Sequence, residues 1–87
     1  MHYFPFNISD YRSSTAHLTN EEDLAYRRLI EMYYDLETPL PVETQWVARR
    51  IRVAEKLVSI ILDDFFTLTD HGWVHARCDA EIARYHS

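Results

Sequence analysis

Eighty-seven residues, 47% hydrophobic and with a mean hydropathy of -0.34, describe one small domain with a real core and exclude a disordered chain. No apolar run approaches the roughly 18 residues of a membrane span, and Cys78 is alone, so no internal disulfide exists and the cytoplasm is the default compartment. The net charge of -5 argues against a nucleic-acid partner for the chain as a whole, yet Arg49, Arg50, Arg52 and Lys56 stand against only Glu55 between positions 49 and 62.

The N-terminus, MHYFPFN, has no basic region of the kind that opens a signal peptide. Tyr3, Phe4 and Phe6 around Pro5 suggest an extended aromatic arm over residues 1–8, because proline confines a strand to an edge. A short helical turn is expected through DYRSSTAH, capped by Ser9 or Asp10. Asp10 and His17 flank a helix entrance, where polar side chains serve as caps; a metal site would want more ligands.

The strongest periodic stretch is LTNEEDLAYRRLIEMYYDL. Thr19 and Glu22 have capping-box spacing, and Glu21, Glu22 and Asp23 place negative charge at the favourable end of the helix dipole. Ala25, Tyr26, Leu29, Ile30, Met32, Tyr33 and Leu36 form one broad arc, with Asp23, Arg27, Arg28 and Glu31 opposite. Thr38 precedes proline, so a helix over 19–37 ends there. Pro39-Leu40-Pro41 is an extended connector. A second helix is expected over 43–51 and a third over 54–65, with a turn at Arg52–Val53; the missing cap before the third leaves one bent helix as the alternative.

Phe66-Thr67-Leu68-Thr69 alternates as a half-buried strand does, Asp70-His71-Gly72 turns, and Trp73 to Ala76 returns, giving a hairpin over 66–76. Asp79 is the expected cap of a final helix over 79–85, short enough to suggest that more chain follows. The expected core comprises Leu29, Tyr33, Leu36, Val47, Ile51, Leu57, Val58, Ile61, Leu62 and Phe65. The fold class is α+β, mainly α: a single winged helix-turn-helix domain over 1–87 with a C-terminal hairpin wing, Pro39–Pro41 lying where such folds add a third strand.

Asp10-Tyr11, Thr15-Ala16-His17-Leu18, Ala25-Tyr26-Arg27-Arg28-Leu29, Pro39-Leu40-Pro41, Gly72-Trp73 and Arg77-Cys78 together resemble the YdaU-like domain of unknown function. The likeness spans nearly the whole chain, with 43–58 matching in pattern only. It implies the N-terminal module of a phage or prophage replication-type protein and, by association, DNA. It implies no catalytic residue.

The residues themselves offer little chemistry. Adjacent Asp63 and Asp64 point about 100° apart on a helix, and His75-x-x-Cys78 lacks the second pair that a zinc site needs. No catalytic residue, metal site or cofactor is expected. DNA phosphates are the expected partner of Arg49, Arg50, Arg52 and Lys56, with His71 and His75 on the wing as weaker contacts. Base reading by the third helix is poorly supported, since its outward residues include Glu55, Asp63 and Asp64. Twelve aromatics suggest a homo-oligomer associating through Tyr3, Phe4, Phe6, Tyr26 and Tyr34, with other phage or host replication proteins as further partners. The alternative is a protein-interaction or dimerisation domain with no DNA contact.

Overall fold

The computed structural model describes residues 8–87, which form five helices and one hairpin: α1 (Ile8–Thr15), α2 (Asn20–Leu36), α3 (Thr44–Ile51), α4 (Glu55–Phe65), β1 (Thr67–Thr69), β2 (Gly72–Val74) and α5 (Ala76–His86). The aromatic arm, with Tyr3, Phe4 and Phe6, lies outside the described residues, and Ile8 belongs to α1 rather than to that arm. Ser9 and Asp10 sit inside the first turn of α1 and therefore do not cap it. No helix is long and apolar enough to cross a membrane among the described residues.

Helix α2 is the centre. The Thr19 hydroxyl accepts the N–H of Glu22 at 3.1 Å and the Glu22 carboxylate accepts the N–H of Thr19 at 2.9 Å, closing the capping box. Glu37, in the left-handed region at φ 57, ends the helix two residues before Pro39. Ala25, Leu29 and Tyr33 are fully buried against α3, α4 and α5, together with Leu40, Val47, Val58, Ile61 and Leu62. Leu57 and Phe65 are partly buried beside this cluster. Leu36 is not a core residue: it stays 41% exposed although Tyr33 and Tyr34 of the same turn are buried, so it lies at the margin of the covered face.

Helices α3 and α4 are separate. Arg52 adopts φ 59 and ψ 49, which no helix can continue through, and the chain turns at 52–54 into α4. Glu43 and Ala54 hold the N-cap positions without a side-chain bond, so packing of the apolar faces carries both helices.

Strands β1 and β2 pair antiparallel, Leu68 opposite Trp73. Leu40 adds a third, one-residue rung: its N–H donates to the Trp73 carbonyl at 2.8 Å and its carbonyl accepts from Trp73 at 2.9 Å. The Pro39–Pro41 connector thus lies beside the hairpin as a minimal third strand. The alternation read into 66–69 is corrected. Thr67, Leu68 and Thr69 are all exposed because β1 is the outer edge, and Phe66, the residue that ends α4, is the one that enters the core. Strand β2 stops at Val74, and α5 starts three residues earlier than Asp79.

Candidate nucleic-acid interface

Helix α3 divides cleanly. Val47, Ala48 and Ile51 point inward, leaving Gln45, Trp46, Arg49 and Arg50 on the outer arc. The Arg50 guanidinium lies over the Trp46 ring, 4.5 Å from its centre, while Trp46 stays 42% exposed. Arg49 and Arg52 line one shallow depression of about 380 Å³ with Gln45, Val53 and Ala54, closed on the α4 side by Glu55. Lys56 is exposed on the first turn of α4, next to that glutamate. Arg49, Arg50, Arg52 and Lys56 are therefore all exposed around one turn.

A fifth cation supports them from behind. Arg28 of α2, which periodicity assigns to the wet side, is half-buried and donates Nη1–H to the Ile51 carbonyl at 2.8 Å. A second contact reaches the Arg52 carbonyl at 3.4 Å. The guanidinium offsets the negative end of α3 at the carbonyls a helix leaves unpaired. Sequence spacing could not find this role, because the partner lies 23 positions away.

The histidines of the hairpin part company. His71 is exposed at the turn. His75 is withdrawn as a phosphate contact: it is half-buried and caps α5, its Nδ1 accepting the N–H of Cys78 at 3.3 Å. An accepting Nδ1 carries no proton, so the neutral ring bears its hydrogen on Nε2, which donates to the Tyr26 hydroxyl 2.9 Å away. The His-x-x-Cys spacing is thus that of a helix cap and its N3 residue. Asp79, expected to cap, lies a turn inside α5 and accepts from the Tyr33 hydroxyl at 2.5 Å.

Tyr26 and Tyr34 are each only 6% exposed, so neither presents a face for self-association. Their rings serve packing: Tyr26 stacks on Phe65 at 4.2 Å and on Tyr11 at 5.9 Å. Tyr11 also reaches the Asp23 carboxylate, tying α1 to α2, and Arg77 of α5 pairs with Asp10 at 2.5 Å. A cavity of about 310 Å³ opens between these elements, lined by Tyr26, Tyr34, His75, Arg77 and Cys78 among others. Burial shifts three of its ionisable groups towards their neutral forms. Burial raises the Cys78 thiol to about 11 and the Tyr26 hydroxyl to about 12, and it lowers His75. No cluster of three or more His, Cys, Asp or Glu suited to a metal occurs among the described residues.

The chain matches, over residues 2–83, the family described as a protein of unknown function, DUF1376. It is 32% identical over 82 residues to the uncharacterized protein YdaU of Escherichia coli (strain K12), an alignment covering 93% of this chain and 29% of that relative. No solved structure matches it. With the family's model spanning almost its full length, the chain belongs to the DUF1376 family.

Proposed function

We propose that this domain is a non-enzymatic winged helix that contacts DNA phosphates weakly, within a phage- or prophage-type replication protein. One observation carries the reading: α2, the Leu40 rung, α3, a tight turn, α4 and the hairpin follow one another in winged-helix order, with four exposed cations around the turn. The turn of a helix-turn-helix often uses glycine, and here the left-handed residue is Arg52, which adds charge at that corner. The replication setting is supported by the sequence resemblance and by nothing in the geometry. Self-association, the other half of the reading, rests on Tyr3, Phe4 and Phe6 now that Tyr26 and Tyr34 belong to the core.

Fluorescence anisotropy of a labelled duplex tests the proposal, comparing the wild type with Arg49→Ala/Arg50→Ala/Arg52→Ala at several salt concentrations. Contact of four cations with phosphates predicts weak, nearly sequence-independent binding with a log–log salt slope of about -4, from roughly -0.9 per contact. Equal binding by both proteins, or none by either at low salt, would remove duplex contact through these cations. The protein-interaction reading, favoured by exposed Val42 and Trp46, would then stand.

A further inference from the structure

The element that enters the major groove in winged-helix proteins is the one least fitted to do so here. The exposed side of α4 carries Glu55, Lys56, Ser59, Asp63 and Asp64, three carboxylates against one lysine. It offers no Arg, Asn or Gln to grip a base edge in two places. Driving this surface into a duplex would bring those carboxylates towards phosphates on both strands. Helix α3 is the opposite case. From Thr44 to Arg52 it holds Arg49, Arg50 and Arg52 and no acid, and Arg28 offsets the carbonyl charge at its end.

On that cationic face sits a large exposed aromatic. Trp46 is 42% open to solvent and flanked by Arg49 and Arg50 at helical spacing, with the Arg50 guanidinium against its ring. A half-exposed indole among arginines is the pairing that unpaired bases exploit. The base stacks on the ring, cations take the neighbouring phosphates, and guanidinium planes can stack as well. A duplex keeps its bases inside and has no use for the tryptophan.

We infer that the ligand of the α3 face is single-stranded DNA, with one base stacked on Trp46 and the adjoining phosphates held by Arg49, Arg50 and Arg52. This rests on the DNA-binding reading above and narrows it. An eight-residue helix is about 12 Å long, so the footprint is a few nucleotides and the affinity modest. Three contacts on a single strand give a log–log salt slope of about -2, shallower than the duplex value, from roughly -0.7 per contact.

Anisotropy with a labelled oligothymidylate and a labelled duplex of equal length, in the same low-salt buffer, tests the inference. The proteins are the wild type, Trp46→Ala, Trp46→Tyr and the triple arginine variant, each checked for an unchanged thermal melt. The single strand should bind more tightly than the duplex. Trp46→Ala should weaken it on the order of tenfold, the scale of one stacked base, and Trp46→Tyr should recover most of the loss. The triple variant should abolish binding. Duplex preference, or indifference to Trp46→Ala while the arginine variant still weakens binding, overturns the single-strand assignment and leaves the phosphate-contact reading in place. Binding of neither nucleic acid overturns both.

Discussion

The Nδ1 atom of His75 accepts the backbone N–H of Cys78 at 3.3 Å, so the cap of α5 depends on an imidazole that has not been protonated. Burial lowers the pKa of this ring, with Arg77 acting in the same direction and Asp79 against it. In the unfolded chain the ring titrates near 6.5. Between the lowered folded value and 6.5 the unfolded state binds more protons, so stability rises with pH across that window. It is complete above about 6.5 and falls away as pH drops through the folded value. Protonation also puts a hydrogen on the accepting nitrogen and a positive charge at a helix N-terminus. Tyr26 bonds the ring at Nε2, and Arg77 and Asp79 are the charged side chains that act on it.

His75→Asn keeps an acceptor at the cap and removes the titration. Urea unfolding at pH 7.5 and pH 5.5 should therefore show a smaller loss of stability for the variant than for the wild type. Identical losses would mean that His75 is not the group responsible.

The core ranking is the next test. Leu29 and Ile61 are fully buried beneath α2 and α4, whereas Leu36, on the same apolar arc as Leu29, is 41% exposed. Leu29→Ala and Ile61→Ala should each cost about 2–5 kcal/mol, the range for deleting a buried aliphatic side chain. Leu36→Ala should cost under about 1 kcal/mol, because little of its surface leaves water. Denaturant midpoints measure all three, and a Leu36 loss equal to that of Leu29 would contradict the described packing.

What was legible in the sequence follows from how local each signal is. Thr19 and Glu22 satisfy each other within one turn, so their spacing alone specified the start of α2, and Pro39 its end. The break between α3 and α4 had no such marker, since Arg52 takes the left-handed conformation usually left to glycine. Helical period put Leu36 on the apolar arc, but period alone does not say which positions at the arc's margin are covered, and Leu36 is 41% exposed. At α5 the rule favouring Asp as a cap selected Asp79, while the actual cap is His75, an uncommon choice. The burial of Tyr26 is not legible locally, because its hydroxyl partner, His75, lies 49 positions away. The cationic turn was visible as composition. Helical spacing already sets Trp46 one turn from Arg50, and the structure adds that the guanidinium lies 4.5 Å from the ring centre.

Gly72 should tolerate no side chain. Its φ is +122°, and a Cβ there would overlap the carbonyl oxygen of Leu40, the atom that accepts from Trp73. Gly72→Ala should therefore cost roughly 1–3 kcal/mol from backbone strain alone, and more as the rung between Leu40 and Trp73 is pushed apart. Slowed amide exchange at Leu40 and Trp73 in the wild type, lost in the variant, would report the rung directly. A variant within about 0.5 kcal/mol of the wild type, a change typical of neutral surface sites, would show that the close approach is not maintained in solution.

Arg52 separates folding from binding. Its left-handed conformation, φ 59 and ψ 49, costs a residue with a Cβ roughly 1–2 kcal/mol, which glycine avoids. Glycine gives back about 0.5–1 kcal/mol through the greater freedom of its unfolded chain. The Arg28 contacts at this corner go to the backbone carbonyls of Ile51 and Arg52, so they survive the change. Arg52→Gly should thus hold stability level or raise it by up to about 1.5 kcal/mol, whereas loss of one phosphate contact lowers DNA affinity and makes the salt slope shallower by about 0.7–0.9. Thermal melting and anisotropy on the same preparation read both quantities. Opposite signs are the expected result: a variant that folds at least as well and binds less. A variant that is both destabilised and weaker in binding would make Arg52 a structural residue of the turn, and unchanged binding would remove it from the interface.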